Sequence, residues 1–184
     1  EARGKREMPF SKELYIERND FMEDAPRKFF RLSLDKEVRL KGAYIIKGES
    51  VVKDADGNIT EIHCTYDSDS KSGSGTEASK RKVKGTLHWV SAKHAVPVTV
   101  KQYDRLFSHE APDGQEEDFK TFLNPDSLSE VNGCMAEPAI KDLKSGETVQ
   151  FQRQGYFCVD KTSTPENIVF NRTVTLKDSW AKKK

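Results

Sequence analysis

The chain has 184 residues, 35% hydrophobic and 33% charged, with a formal net charge of +1. That length, with ten Phe, five Tyr and two Trp, excludes general disorder, because burying such residues offsets the entropy of ordering the chain. The near-neutral balance excludes a protein that coats nucleic acid, but not a reader whose basic residues are placed locally. No apolar run approaches the roughly 20 residues that span a bilayer, and none follows the N-terminus as a secretory signal would.

The dominant period along the chain is two. Glu13–Glu17 alternates, and so does Val38–Lys47, with Gly42 marking a bulge or a close approach. Between these runs, Asn19 or Asp20 is expected to cap a short helical turn reaching about Glu23. Val51–Lys53 and Ile59–Tyr66 flank Asp54-Ala55-Asp56-Gly57-Asn58 and predict a β-hairpin, since Gly and Asn tolerate the positive φ of a tight connection. Asp67–Arg81 is rich in Ser and Gly and is expected to be a mobile, solvated loop. Strands are expected over 82–91 and 97–107. The polar segment Ser108–Glu117 is expected to be a second mobile loop, and a short helix is expected over Asp118–Leu123. Two further strands are expected over 148–159 and 168–178. The pattern is that of an all-β protein with short helices, irregular loops and a domain boundary near residue 90.

Several local patterns invite chemistry and do not support it. The 54–58 segment begins like a calcium loop, but the sixth residue from Asp54 is Ile59 and the twelfth is Thr65, where Gly and Glu are needed. Asn171-Arg172-Thr173 fits a glycosylation acceptor only in a secreted protein. Ser72-Gly73-Ser74-Gly75 lacks the Gly-Lys-Ser/Thr of a phosphate loop. Cys64, Cys134 and Cys158 are odd in number and far apart, and read as reduced thiols of a cytosolic protein. Neither they nor the four histidines have metal-site spacing. His88 and His94 flank Ser91, but no nucleophile elbow or third member accompanies them.

Basic residues interleaved with aromatics remain. Arg27-Lys28-Phe29-Phe30-Arg31-Leu32 is one run, Lys36-Glu37-Val38-Arg39-Leu40-Lys41 a second, and Gln150-Phe151-Gln152-Arg153-Gln154-Gly155-Tyr156-Phe157 a third. Strand periodicity puts Arg39 and Lys41 on one face. It puts Gln150, Gln152 and Gln154 together on another, with Arg153 opposite beside Phe151 and Phe157. Arg offers a rigid fork for guanine O6 and N7, Gln a paired donor and acceptor, and aromatic rings a surface for unstacked bases. On pattern alone, a solvated charged sheet face is the better account of these runs.

The sequence resembles the anticodon-binding region of glutaminyl-tRNA synthetases. The likeness is carried by Pro9-Phe10-Ser11 with Glu13-Leu14-Tyr15-Ile16-Glu17-Arg18, by Lys36–Leu40, by Lys82-Val83-Lys84-Gly85-Thr86-Leu87-His88-Trp89-Val90-Ser91, by Tyr103-Asp104-Arg105-Leu106-Phe107, and by Phe170-Asn171-Arg172-Thr173-Val174. It implies two tandem β-barrels, an architecture shared with a ribosomal-RNA-binding protein. The first would cover 1–90 and the second 91–165, with 166–184 a C-terminal strand expected to return to the first barrel. It implies a cytoplasmic, monomeric module that binds the anticodon loop of glutamine tRNA, with no catalytic residue, metal or cofactor of its own. ATP would belong to an adenylating domain N-terminal to residue 1, the module's other partner. Matched residue by residue, Arg31 corresponds to the reader of the third anticodon base, a guanine. Arg39 and Lys41 correspond to basic residues near the first base and its phosphate, and Gln150 and Arg153 to residues around the central uracil. Phe30 and Gln152 depart from a lysine and a glutamate that can occur at those positions, and Lys28 adds a nearby charge. The barrels of a glutamyl-tRNA synthetase, or an rRNA-binding barrel, are the alternatives.

Overall fold

The computed structural model describes residues 6–176. Among the described residues, eleven strands form three sheets, joined by 3-10 turns and one short α-helix. The chain is all-β with short helices, as expected. The strands are laid out in open order, and no sheet closes on itself among the described residues.

The first of two units spans Phe10–Lys93. Its four-stranded sheet runs β4-β3-β2-β5, where β2 is Glu37–Leu40, β3 Ile45–Lys53, β4 Ile59–Asp67 and β5 Thr86–Leu87. The single strand expected over 38–47 is therefore two. Gly42, at φ +69°, lets the chain turn between them, and Leu40 N and Ala43 N close the turn on Tyr44 O and Leu40 O. The 51–66 hairpin forms as expected. Asp54 Oδ1 accepts from Asp56 N and Asn58 N, and Gly57 supplies the positive φ. Of the expected strand 82–91, only β5 and β6 (Val90–Ser91) are regular, and β6 pairs with β1 (Leu14–Tyr15). Leu32, Val38, Leu40, Ile45 and Leu87 are almost fully buried and form the core. Burial of each stabilises by about 1.5–3 kcal/mol.

The second unit runs from His94 and includes residues 6–9. Its sheet order is β8-β7-β11-β10-β9, with β7 Val96–Tyr103, β8 Leu128–Ala136, β9 Thr148–Phe151, β10 Gly155–Val159 and β11 Ile168–Thr175. Val96, Val98 and Val100 alternate inward from β7 and meet Phe157, Val159, Ile168 and Phe170. The strand β11 lies between β7 and β10, parallel to the first and antiparallel to the second. It completes this unit and does not return to the first, contrary to expectation. Residues 177–184, the rest of that expected segment, lie outside the described residues. Asp118 caps the 3-10 turn Phe119–Phe122 by accepting from Lys120 N, where a short helix was expected.

The segment expected to be a solvated loop over 67–81 is folded. It holds a 3-10 turn at Ser68–Ser70 and the helix α1, Glu77–Lys80, capped by Thr76. Ser70 is fully buried, with its Oγ accepting from Ile45 N and donating to Asp67 O.

Candidate nucleic-acid interface

The run 27–32 is a turn at Arg27 and Lys28 followed by irregular backbone that ends in an isolated bridge from Leu32 to Phe21. Met22 N donates to Leu32 O and Leu32 N to Asp20 O, which fixes the backbone directly after Arg31. Leu32 is buried in the core, while Phe30, two residues before it, is 53% exposed, because the bend at Arg31 breaks the shared face that a regular strand would give the two. Gly85 is why the segment can sit here. A Cβ at that position would lie 2.7 Å from Phe30 O and 2.8 Å from Val38 Cγ1. Across this close approach, Lys84 Nζ stands 5.7 Å from the Phe30 ring centroid, within cation–π range.

Arg31 is held from behind. Its Nε lies 3.3 Å from Asp20 Oδ1 and its Nη1 donates to Asn19 O at 2.7 Å, while Nη2 makes neither contact. Asp20 is 1% exposed and the Arg31 side chain 42%, so a buried carboxylate orients a half-exposed fork. Asn19 and Asp20 were expected to cap a helical turn. The turn is Arg18–Asp20, its cap position is Glu17 with no side-chain cap, and Asp20 serves Arg31 instead.

Arg39 is held by backbone carbonyls and a hydroxyl of the 70–81 stretch. It lies on β2, and its Nη1 donates to Ser70 O and Ser72 Oγ while its Nη2 donates to Ser79 O and Arg81 O. Lys41 follows β2 in the turn. Its backbone is tied down, with N to Leu87 O and O accepting from Trp89 Nε1, and the residue is exposed. Lys28 is exposed in the turn before Phe30. Arg81 completes the local electrostatics. It pairs with Glu37 and Asp67, which hold its guanidinium above its ordinary pKa, chiefly through the Glu37 hydrogen bond.

In the second unit, β9 ends at Phe151 and the chain turns over 152–154, with Gln154 N donating to Phe151 O. Gln152, Arg153 and Gln154 therefore belong to a hairpin turn and not to a strand face. Arg153 takes φ +68°, a left-handed conformation uncommon for a non-glycine residue. Gln150 is on β9 opposite Tyr156, an exposed aromatic of β10. Phe151 and Phe157 pack together in the core, with ring centroids 4.8 Å apart. The structure thus groups Lys28, Phe30, Arg31, Arg39 and Lys41 in one unit, and Gln150, Gln152 and Arg153 at one hairpin of the other.

Sequence reasoning missed Asp20 as the carboxylate behind Arg31, Lys84 beside Phe30, and Tyr156 beside Gln150. Only the last had a local signal, since it lies on the opposite arm of a short hairpin. Among the described residues, no group of three or more His, Cys, Asp or Glu is placed to hold a metal, and no helix is long and apolar enough to cross a membrane.

Residues 1–67 and 86–160 each match a family described as tRNA synthetases class I (E and Q), anti-codon binding domain. The chain is 54% identical to a glutamine–tRNA ligase of Rhodopirellula baltica over 184 residues, which is 99% of this chain and 30% of that protein. It is also 54% identical over 180 residues to the glutamine–tRNA ligases of Escherichia coli O157:H7 and Shigella boydii serotype 4, covering 97% of this chain and 32% of each of them. It therefore spans about a third of the length of these relatives. With both stretches matching, the chain belongs to the anticodon-binding domain family of class I (E and Q) tRNA synthetases.

Proposed function

We propose that this chain reads the anticodon loop of a glutamine tRNA. Arg31 supplies a fork to the guanine, and Phe30 offers its ring as a stacking surface, with Lys84 nearby to meet phosphate. Lys28 and Lys41 add charge along the same unit. At the hairpin of the second unit, Gln150, Gln152 and Arg153 contact the central base, with Tyr156 beside them. The observation that carries this reading is the pairing at 30–31: an exposed ring, next to an arginine that a buried carboxylate holds in one orientation. Protein reads RNA sequence where bases are unpaired and can be splayed onto such surfaces. A pre-oriented fork loses less entropy on binding than a free one.

On this reading the attachment of glutamine, and the ATP it consumes, belong to the remainder of a longer cytoplasmic protein acting as a monomer. This chain supplies recognition alone, without a cofactor. The glutamine assignment over glutamate rests on the named relatives, because the family description covers both.

The test is filter binding of the chain to glutamine, glutamate and unrelated tRNAs. The chain prefers glutamine tRNA, and its binding weakens steeply with salt. Arg31→Ala lowers the preference for guanine at the third anticodon position by about 5- to 150-fold, the equivalent of about 1–3 kcal/mol for a bidentate contact. Equal binding to all three tRNAs overturns the proposal.

A further inference from the structure

A guanidinium carries five N–H donors, and four of them are on its two Nη atoms. In Arg39 each Nη donates twice, with distances of 2.8 and 3.2 Å from Nη1 and 3.0 and 3.1 Å from Nη2. The acceptors are the carbonyls of Ser70, Ser79 and Arg81 and the hydroxyl of Ser72, which lie at both ends of the 68–81 segment. Reading a base edge or clamping a phosphate takes two parallel donors. Arg39 has no such pair left unless it releases the segment.

Other bonds hold the same segment in the same place. Ser72 N and Ser72 Oγ both donate to Ala43 O, and Ser70 Oγ bridges Ile45 N and Asp67 O. Thr76 Oγ1 donates to Asp69 O while accepting from Ser79 N. At the exit, Arg81 bridges Glu37 and Asp67. The hydroxyls that make this stretch look like a solvated linker are spent on internal bonds, and Arg39 ties both of its ends to β2.

We infer that Arg39 is a positioning residue that latches the 68–81 segment to β2 and does not itself contact the anticodon. The inference rests on the RNA-reading role proposed above. It leaves the direct contact near the first anticodon base to Lys41, two residues along. The latched segment becomes a preformed wall of the binding surface, so the loop does not have to be ordered when tRNA arrives.

The test has two arms. In the first, Arg39→Ala and Arg39→Lys are compared with the unaltered chain by trypsin cleavage at Lys71, Lys80, Arg81 and Lys82. Cleavage is expected to rise at least about tenfold in both variants, because lysine cannot span the acceptors. Affinity for glutamine tRNA is expected to fall by one common factor, whichever pyrimidine is in the first anticodon position. A variant that changes the first-base preference, with cleavage unaltered, overturns the inference. In the second arm, which needs no variant and so does not depend on one folding, amide exchange is followed in the unaltered chain. The amides of Ile45, Ser72 and Arg81 are expected to keep their protection on saturation with tRNA. Loss of protection on binding overturns the inference, because Arg39 would then be leaving the segment for RNA. Should the unaltered chain ignore every tRNA, the RNA-reading role fails, while the latch is still judged by the cleavage arm.

Discussion

Gly85→Ala tests whether the RNA-facing run and the core are mechanically one object. Gly85 is not in the left-handed region, so the substitution carries no backbone strain and acts by volume alone. Its Cβ would meet Phe30 O at 2.7 Å and Val38 Cγ1 at 2.8 Å, both closer than real Cβ contacts come. Neither neighbour gives easily. Phe30 O is backbone, two residues from Leu32, whose N and O are both bonded. Val38 is 1% exposed and surrounded by core. Overpacking of this kind costs about 1–3 kcal/mol, and each kcal/mol lowers the melting temperature by about 4–8 °C in a domain of this size. Relief by moving the 28–31 run would shift Phe30 and Arg31 with it, so guanine preference should fall along with stability. Thermal denaturation and tRNA binding, measured on one preparation, give both quantities. Gly114→Ala is the control, since a Cβ there meets nothing within 4 Å. An unchanged melting temperature and unchanged preference in Gly85→Ala would refute the argument that this glycine seats the reading segment.

Two other outcomes follow from the same structure. Asp20→Asn should keep overall tRNA affinity while lowering guanine preference about fivefold, or about 1 kcal/mol once the pair is discounted for the exposure of Arg31; binding to tRNAs with each base at the third position checks it, and an unaltered preference rules Asp20 out as the group that orients Arg31. In the second unit, the Asp160 carboxyl is held well below the usual carboxylate range by donation from Thr162 N and Oγ1, then from Asn171, with Lys101 nearby. Its stabilising effect is thus full above the unfolded value of about 3.9 and is lost as pH falls below it. Urea midpoints from pH 7 to pH 3 should drop less steeply in Asp160→Asn than in the unaltered chain, and equal slopes would contradict the assignment.

The parts legible in the sequence are those whose cause is local. The 51–66 hairpin follows from Asp54 and Gly57, the turn at 119–122 from the Asp118 cap, and the strands β7 and β11 from inward alternation of Val, Phe and Ile, whereas the single strand expected over 148–159 is the hairpin β9–β10. The family resemblance, carried by ordered motifs, agrees with the matches to glutamine–tRNA ligases. What was not legible depends on residues far apart in the chain. The strand β8 was missed because it is an edge strand, mostly exposed and interrupted by Gly133 at φ +70°, so it lacks a buried stripe to read. The fold of 68–81 is written in acceptors for Arg39, some 30 to 40 residues away. Lys84 reaches Phe30 only because β5 lies parallel to β2, a pairing that no local period announces. Arg153 left its expected face because a tight turn took it into left-handed backbone.

The placement of β11 has a bearing on how the second unit is made. It is the last of the unit's strands to leave the ribosome, yet it occupies the middle of the sheet, with Phe170 wholly enclosed. During synthesis, β7 and β10 must wait as two bare edges until Ile168–Thr175 emerges to be inserted between them. Unpaired edges of that kind recruit other chains. A stalled or clipped nascent chain lacking those eight residues would be a nucleus for aggregation rather than a shortened working module.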